Sequence, residues 1–285
     1  MPLVFVPTPL GNLRDITLRA LDVLRECTLL VAEDSRVARK LLSALALPGK
    51  EIWSYHEHNA QAASAGILER ARTQLVAVVT DAGTPGISDP GSELAAAARA
   101  QQIPIEVLPG PSAAIGAAVL SGFNLRRFTF EGFAPRASAA RREALRRSFT
   151  LGIASIWYES PQRVHAFLAD VEAVDPHARV FLVREYTKRF EQQLLGSAAR
   201  VAEQLTQPVR GEIALVIEPS AVCAPQPGAP EADLDEEIDE LLREGKSVSA
   251  VAKALSERGL GERRHIYARA SGRKQLRRDE SPAPR

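Results

Sequence analysis

Between Leu3 and Leu120, short apolar runs are each followed by a stretch with helical spacing, and three runs break off into turns dense in glycine and proline. Strands are predicted over 3–6, 28–32, 51–54, 75–79 and 104–108. Helices are predicted over 17–27, 37–45, 60–72, 92–101 and 112–120, where apolar residues such as Leu18, Leu21 and Leu24 recur on one face. Asn59 and Ser112 stand at N-cap positions. The run 75–79 is nearly all apolar, as suits a strand covered on both faces. Strands that alternate with helices need crossover connections, so the sheet should be largely parallel. Ligands of such sheets bind beyond the carboxyl ends of the strands.

The three turns fall at those ends. The first is P-T-P-L-G-N-L-R-D from Pro7, the second T-D-A-G-T-P-G-I-S-D-P-G from Thr80, and the third P-G-P-S-A-A from Pro109. Glycine and proline at this density make rigid corners that a ligand can approach closely. One such corner would be an ordinary tight turn; three on one edge point to a pocket. No G-x-G-x-x-G, G-x-x-x-x-G-K-[ST] or G-x-S-x-G run occurs. A standard dinucleotide site, a P-loop and an α/β-hydrolase elbow are therefore disfavoured.

After Gly122 a second α/β pattern begins. Strands are predicted over 128–132, 154–158, 180–184, 192–195 and 213–218, with helices over 138–148, 161–174 and 198–205. Residues 219–232 carry four prolines and read as a linker. Helices over 234–243, 247–258 and 262–270, with Gly259-Leu260-Gly261 as a turn, suggest a helix-turn-helix-like module. The expected division is an α/β domain over 1–121, a second over 122–219, a linker over 220–233, the helical module over 234–271 and an irregular basic tail over 272–285.

The net charge of +1 carries no argument for a nucleic-acid partner, and the charged segments taken alone read as solvated surface; the basic ones gain meaning only beside the motifs. Residues 136–147 hold five arginines against one glutamate, and 258–285 hold nine Lys/Arg against three acids. Residues 231–244 hold eight acids against one arginine. Two distant cysteines, Cys27 and Cys223, argue against a disulfide framework. His56 and His58 have no second half-site, so no metal is expected. The amino terminus lacks a signal-peptide pattern and no apolar run nears the ~20 residues of a membrane span, so a cytoplasmic protein is expected.

Taken in order, the runs form a series. They are P-T-P-L-G-N-L-R-D-I at Pro7, A-E-D-S-R at Ala32, Y-H-E-H-N at Tyr55, D-A-G-T-P-G-I-S-D-P-G at Asp81 and P-G-P-S-A at Pro109. They continue with E-G-F-A-P at Glu131, Y-E-S-P-Q-R at Tyr158, R-E-Y-T-K at Arg184 and G-E-I at Gly211. The series resembles the tetrapyrrole methylase superfamily, and within it the bacterial branch that methylates the 2′-hydroxyl of a cytidine in 16S ribosomal RNA. Departures are mild: Arg136 stands near an expected lysine, Ser35 replaces a commoner threonine and Tyr186 a commoner leucine. The resemblance implies S-adenosylmethionine in a cleft between two α/β domains, a homodimer, the small ribosomal subunit as partner, and no metal or membrane.

Carried over by motif, the resemblance assigns the cofactor to Pro9, to Asp81, Ala82, Gly83, Ile87 and Ser88, and to Pro111, Ser112 and Ala113. By position and charge, the candidates for catalysis are Glu33, Asp34, Glu185 and Lys188, and those for RNA contacts are Arg36, His56, Arg141, Arg142, Arg263 and Arg264. Glu159 is a further acceptor-side candidate, and Tyr158 and Phe133 could stack on a base. Asp34 reads equally as a helix-start charge, and Glu185 and Lys188 as a simple pair. The rival enzyme would methylate a tetrapyrrole, but such relatives typically begin with a G-x-G-P-G-type turn rather than P-T-P-L-G-N. A third possibility is a nucleic-acid-binding regulator on an inert scaffold.

Overall fold

A computed structural model of the chain describes residues 2–56, 58–205, 208–220, 231–257, 260 and 263–279. They form two compact units, 1–224 and 225–285. The first unit opens with β1 (Leu3–Phe5), α1 (Leu18–Glu26), β2 (Leu29–Ala32), α2 (Ser35–Ala44), β3 (Glu51–Ser54) and α3 (Ala60–Thr73). It continues with β4 (Val76–Val79), α4 (Ser92–Ala100), β5 (Ile105–Val107) and α5 (Ala113–Ser121). The five strands form a wholly parallel sheet in the order β3-β2-β4-β1-β5.

Side chains leave a strand on alternate faces, and the core follows that rule. Leu3, Phe5, Val76 and Val78 pack with Ile67 and Leu68 of α3 and Leu94 and Ala98 of α4. Val4, Val6, Ala77 and Val79 face the other way, onto Ala20 and Leu24 of α1 and Ala38 and Leu42 of α2. The neighbours β1 and β4 therefore send their chains to opposite faces of the sheet. That divergence is a topological switch point, and it opens a crevice beyond the two strand ends.

The second sheet holds β6 (Phe128–Phe133), β7 (Ala154–Glu159), β8 (Arg179–Arg184), β9 (Gln192–Gly196) and β10 (Ile213–Glu218) in the order β6-β7-β10-β8-β9. Only β6 and β7 run parallel; the other pairs are antiparallel. One face packs on α6 (Ser138–Phe149), α7 (Val164–Val174) and α8 (Ala198–Gln204). The other receives Ala114, Ala117 and Ala118 of α5 against Ile156, Phe181, Val183 and Val216. A helix from the first half of the chain thus covers the second sheet and makes the two sheets one compact unit.

The C-terminal unit is α9 (Glu231–Arg243), α10 (Val248–Glu257) and α11 (Arg263–Asp279). Its core joins Ile238, Val251, Ala252, Leu255, Ile266 and Ala270. The acidic α9 pairs with the basic α11: Asp235 meets Arg269 at 2.7 Å and Arg273 at 2.8 Å. α11 continues to Asp279, through much of the segment expected to be irregular, because Ile266 and Ala270 anchor it and Arg273 is tied to α9. Residues 221–230 of the expected linker, and Gly259 and Gly261 of the expected turn, lie outside the described residues.

Two caps differ from expectation. Asn59 makes no cap bond; its Oδ1 accepts from the His56 N–H at 2.8 Å and its Nδ2 donates to the Ser54 carbonyl at 2.8 Å, closing the preceding turn. Ser112 also makes no cap bond, and it faces a cavity instead. Among the described residues no helix is long and apolar enough to cross a membrane.

Candidate active site

The three turns are stitched to one another at the switch point. Thr8 and Gly83 form a two-bond bridge, N–H to carbonyl at 2.9 and 3.0 Å, and Thr8 Oγ1 donates to the Thr80 carbonyl at 3.2 Å. Thr84 Oγ1 donates to the Pro111 carbonyl at 3.0 Å, tying the second turn to the third. Gly83 has φ +83°, a conformation most side chains avoid. Gly110 lies so close to the first turn that a Cβ there would stand 2.6 Å from Pro7 Cβ.

Above this rim is a cavity of about 310 Å³, at the small end of the range for ligand pockets. The rim supplies Leu10, Ala82, Gly83, Ile87, Ser88 and Ser112, with Ala113 beside them. The opposite wall comes from the second sheet: Phe133, Tyr158, Glu159, Val183, Tyr186 and the 211–214 segment. Phe130 and Phe133 meet Tyr158 edge to face at centroid distances of 5.2 and 5.7 Å. Tyr158 Oη accepts the Ala114 N–H at 3.1 Å, locking that wall to the start of α5. Burial pushes the Tyr158 phenol up.

Glu159 is 2% exposed. Its Oε1 accepts from Arg163 and from the Ser160 N–H, while Oε2 is buried with no partner. A buried polar atom without a hydrogen bond is costly, so an orphan oxygen on a cavity wall marks a place for a ligand donor.

A second cavity, of about 560 Å³, adjoins the first, and Ser88 and Asp89 belong to both walls. Its other walls include Glu33, Tyr55, His56, His58 and Glu93. Tyr55 Oη and His56 Nδ1 are buried there without partners. Asp89 is pushed up to about 7, mainly by burial and then by the charges of Glu33, Asp81 and Glu212. Burial, with Asp81 next, also pushes Glu33 up.

Six of the expected cofactor residues, Ala82, Gly83, Ile87, Ser88, Ser112 and Ala113, line the first cavity. Pro9, Asp81 and Pro111 do not. Pro9 is buried beneath the rim, Pro111 takes the Thr84 bond, and the exposed Asp81 accepts the Asp34 N–H at 3.3 Å. Of the expected catalytic residues, only Glu33 lines either cavity.

Asp34 is the N-cap of α2. It accepts the Arg36 N–H at 2.7 Å and pairs with that guanidinium at 2.6 Å. The Arg36 bonds hold its carboxyl well below the usual range, which leaves it a poor proton acceptor. Glu185 and Lys188 pair at 2.9 Å, and Lys188 also meets Glu212 at 3.0 Å. Glu185 Oε1 accepts the Glu212 N–H at 3.0 Å, so the pair braces the 211–214 wall rather than facing the cavity.

Arg141 is a correction to the expected RNA set. It is 4% exposed, bound to Asp170 and to the Pro135 and Arg136 carbonyls, and has no face for a phosphate. Arg142 shares Asp170 but stays half exposed. Arg36, Arg263 and Arg264 are exposed, and His56 lies on the second cavity. The sequence reading passed over Asp89, Tyr186 and Glu212 as site residues. For Asp89 the available signal was a carboxylate inside the glycine–proline loop; for Glu212, nothing local distinguishes it.

Comparison with known proteins agrees with this architecture. The profile of the tetrapyrrole (corrin/porphyrin) methylases matches residues 2–202. A ribosomal RNA small subunit methyltransferase I from Micromonospora olivasterospora is 36% identical, over 90% of this chain and 82% of that protein. One from a Hydrogenobaculum species is 40% identical, over 76% and 95%. Among solved structures, a diphthine synthase aligns with TM-score 0.62 at 13% identity, over 77% of this chain and 90% of that one. Uroporphyrin-III C-methyltransferase from Thermus thermophilus, complexed with S-adenosylhomocysteine, aligns with TM-score 0.55 at 18% identity, over 76% and 97%. The sequence profile and the relatives, over a two-sheet fold with its crevice at the switch point, establish that this chain belongs to the tetrapyrrole methylase family.

Proposed function

We propose that this protein transfers a methyl group from S-adenosylmethionine to the 2′-hydroxyl of a decoding-centre cytidine in 16S ribosomal RNA. The observation that carries the reading is the first cavity, set on the glycine-rich rim of the switch point and faced by an aromatic wall. The unpartnered Glu159 Oε2 suits an N–H or O–H of the donor, and among the described residues no Lys or Arg lines the cavity to oppose a cationic sulfonium. The bound donor would supply an electrophilic methyl carbon. The chain's part is to hold the reacting groups in line and exclude water, which can supply much of the rate. Here the stitched turns fix the floor and the Glu185–Lys188 brace fixes the facing wall.

The named relatives support an RNA acceptor. So does the exposed basic face of α11, where Arg263 and Arg264 are open to solvent while Arg269 and Arg273 are tied to α9. Arg36 and His56 are the acceptor-side RNA contacts of this reading. The cytoplasm, where that RNA is assembled, is the matching compartment. A homodimer suits the exposed apolar side chains Ile115 and Val119 on α5 and Phe128 and Phe130 on the edge strand β6.

Purified small subunits incubated with methyl-labelled donor test the reading. Label should appear at one 16S cytidine and protect the adjacent phosphodiester from alkali. Incorporation into a tetrapyrrole instead, or none into RNA, would overturn it.

A further inference from the structure

We propose that Asp89, on the wall shared by the two cavities, is the general base that receives the proton of the acceptor hydroxyl. The inference rests on the methyl-transfer reading above and adds the residue and the place of proton transfer.

The geometry selects Asp89 from the acids nearby. A base must reach the oxygen under attack while that oxygen faces the methyl carbon. Such a group belongs where the donor space meets the acceptor space, and among the described residues only Ser88 and Asp89 line both cavities. Asp89 is half-buried and makes no hydrogen bond or ion pair among the described residues, so its oxygens are free to accept a proton. The alternatives are engaged or misplaced. Asp34 is held by Arg36 and Glu185 by Lys188, while Glu159 lines the first cavity alone. Glu212 is mostly exposed and held by Lys188, while Glu33 lines the second cavity alone.

The second cavity has independent marks of an occupant. Tyr55 is 2% exposed, and its Oη has no partner on that wall. His56 Nδ1 beside it is also buried and unpartnered. Two unsatisfied polar atoms suit the edges of a nucleotide.

The electrostatics agree. The titratable groups around Asp89 are Glu33 at the end of β2, Asp81 after β4, Glu212 before β10, Tyr158 and Glu159 on β7, Tyr186 on the first cavity, and Tyr55, His56, His58 and Glu93 around the second. Among the described residues no Lys or Arg lines either cavity. Burial and the neighbouring carboxylates set Asp89 near 7, where a carboxylate is both populated and basic. In the transfer, an O–C bond forms as the donor's C–S bond breaks, and that electron pair stays on sulfur. The hydroxyl proton passes to an Asp89 oxygen and then to solvent through the second cavity.

Two measurements test the assignment. Carboxyl ¹³C NMR of the protein without ligands, wild type against Asp89→Asn, should reveal one carboxyl that titrates near pH 7 and vanishes in the variant. Single-turnover transfer to small subunits should rise with pH to a plateau in wild type. Asp89→Asn should lower that rate by roughly 10²- to 10³-fold and flatten the profile, with S-adenosylhomocysteine affinity changed less than tenfold by calorimetry. Asp89→Glu should recover part of the rate with its pH dependence, while Glu33→Gln, which removes a carboxylate that raises Asp89, should move the profile to lower pH. A variant Asn enzyme within threefold of wild type, or an Asp89 that titrates near 4, would overturn the assignment. Wild-type protein that moves no methyl to RNA would sink the functional reading itself, a result distinct from either.

Discussion

At the residue scale, the chemistry depends on groups whose roles local sequence does not reveal. Asp89 carries a stability signature as well as a catalytic one. Its folded pKa is raised from 3.8 to about 7. A raised acid costs nothing at low pH, where both states are protonated, and the cost grows as pH rises from about 4 to 7. Asp89→Asn should therefore stabilise the protein at pH 8 by about 1–2 kcal/mol, allowing for solvent screening, and have little effect at pH 4. Urea titrations at the two pH values check this; equal effects at both would contradict it. Gly116 is a second sensitive point, since a Cβ there would run into the ring of Tyr186, a cavity-lining residue. Gly116→Ala should cost about 1–3 kcal/mol and weaken donor binding, read by thermal melts and calorimetry. Arg141 illustrates what stayed hidden. Its basic neighbourhood suggests a phosphate contact, yet Asp170, 29 positions away, claims it in the core.

At the scale of elements, most of the fold was legible. Buried parallel strands such as Val76–Val79 announce themselves by unbroken apolar runs, and α1 by its spaced leucines. Cap chemistry was less legible, because Asn59 closes the preceding turn instead and Ser112 faces the cavity. The length of α11 was hidden for a different reason: the partners that hold Ile266, Ala270 and Arg273 lie on α9 and α10, away from its own sequence. The three turns were visible as glycine and proline, but their mutual stitching was not. That stitching makes a prediction. Gly110→Ala would force a Cβ to 2.6 Å from Pro7 and push the first and third turns apart. S-adenosylhomocysteine affinity should fall at least about tenfold, a loss of roughly 1.4 kcal/mol. Unchanged affinity by calorimetry would mean that the rim does not shape the site.

At the scale of the whole molecule, the switch point and α5 together explain why one cavity has walls from two sheets. Adjacent strands diverge to open the crevice, and α5 carries the second sheet to its far side. The C-terminal unit has its own core and presents Arg263 and Arg264 outward. If these contact phosphate, replacing both with alanine should lower the slope of log affinity against log salt by about 1–2. Filter binding of the small subunit across salt checks it, with donor affinity expected to stay constant. On this geometry the methyl donor sits between the two sheets. A crystal structure with S-adenosylhomocysteine decides it. Density should be bounded by Ala82, Ser88 and Ser112 on one side and Tyr158 and Glu159 on the other; density at any other location, with this space empty, would rule that placement out.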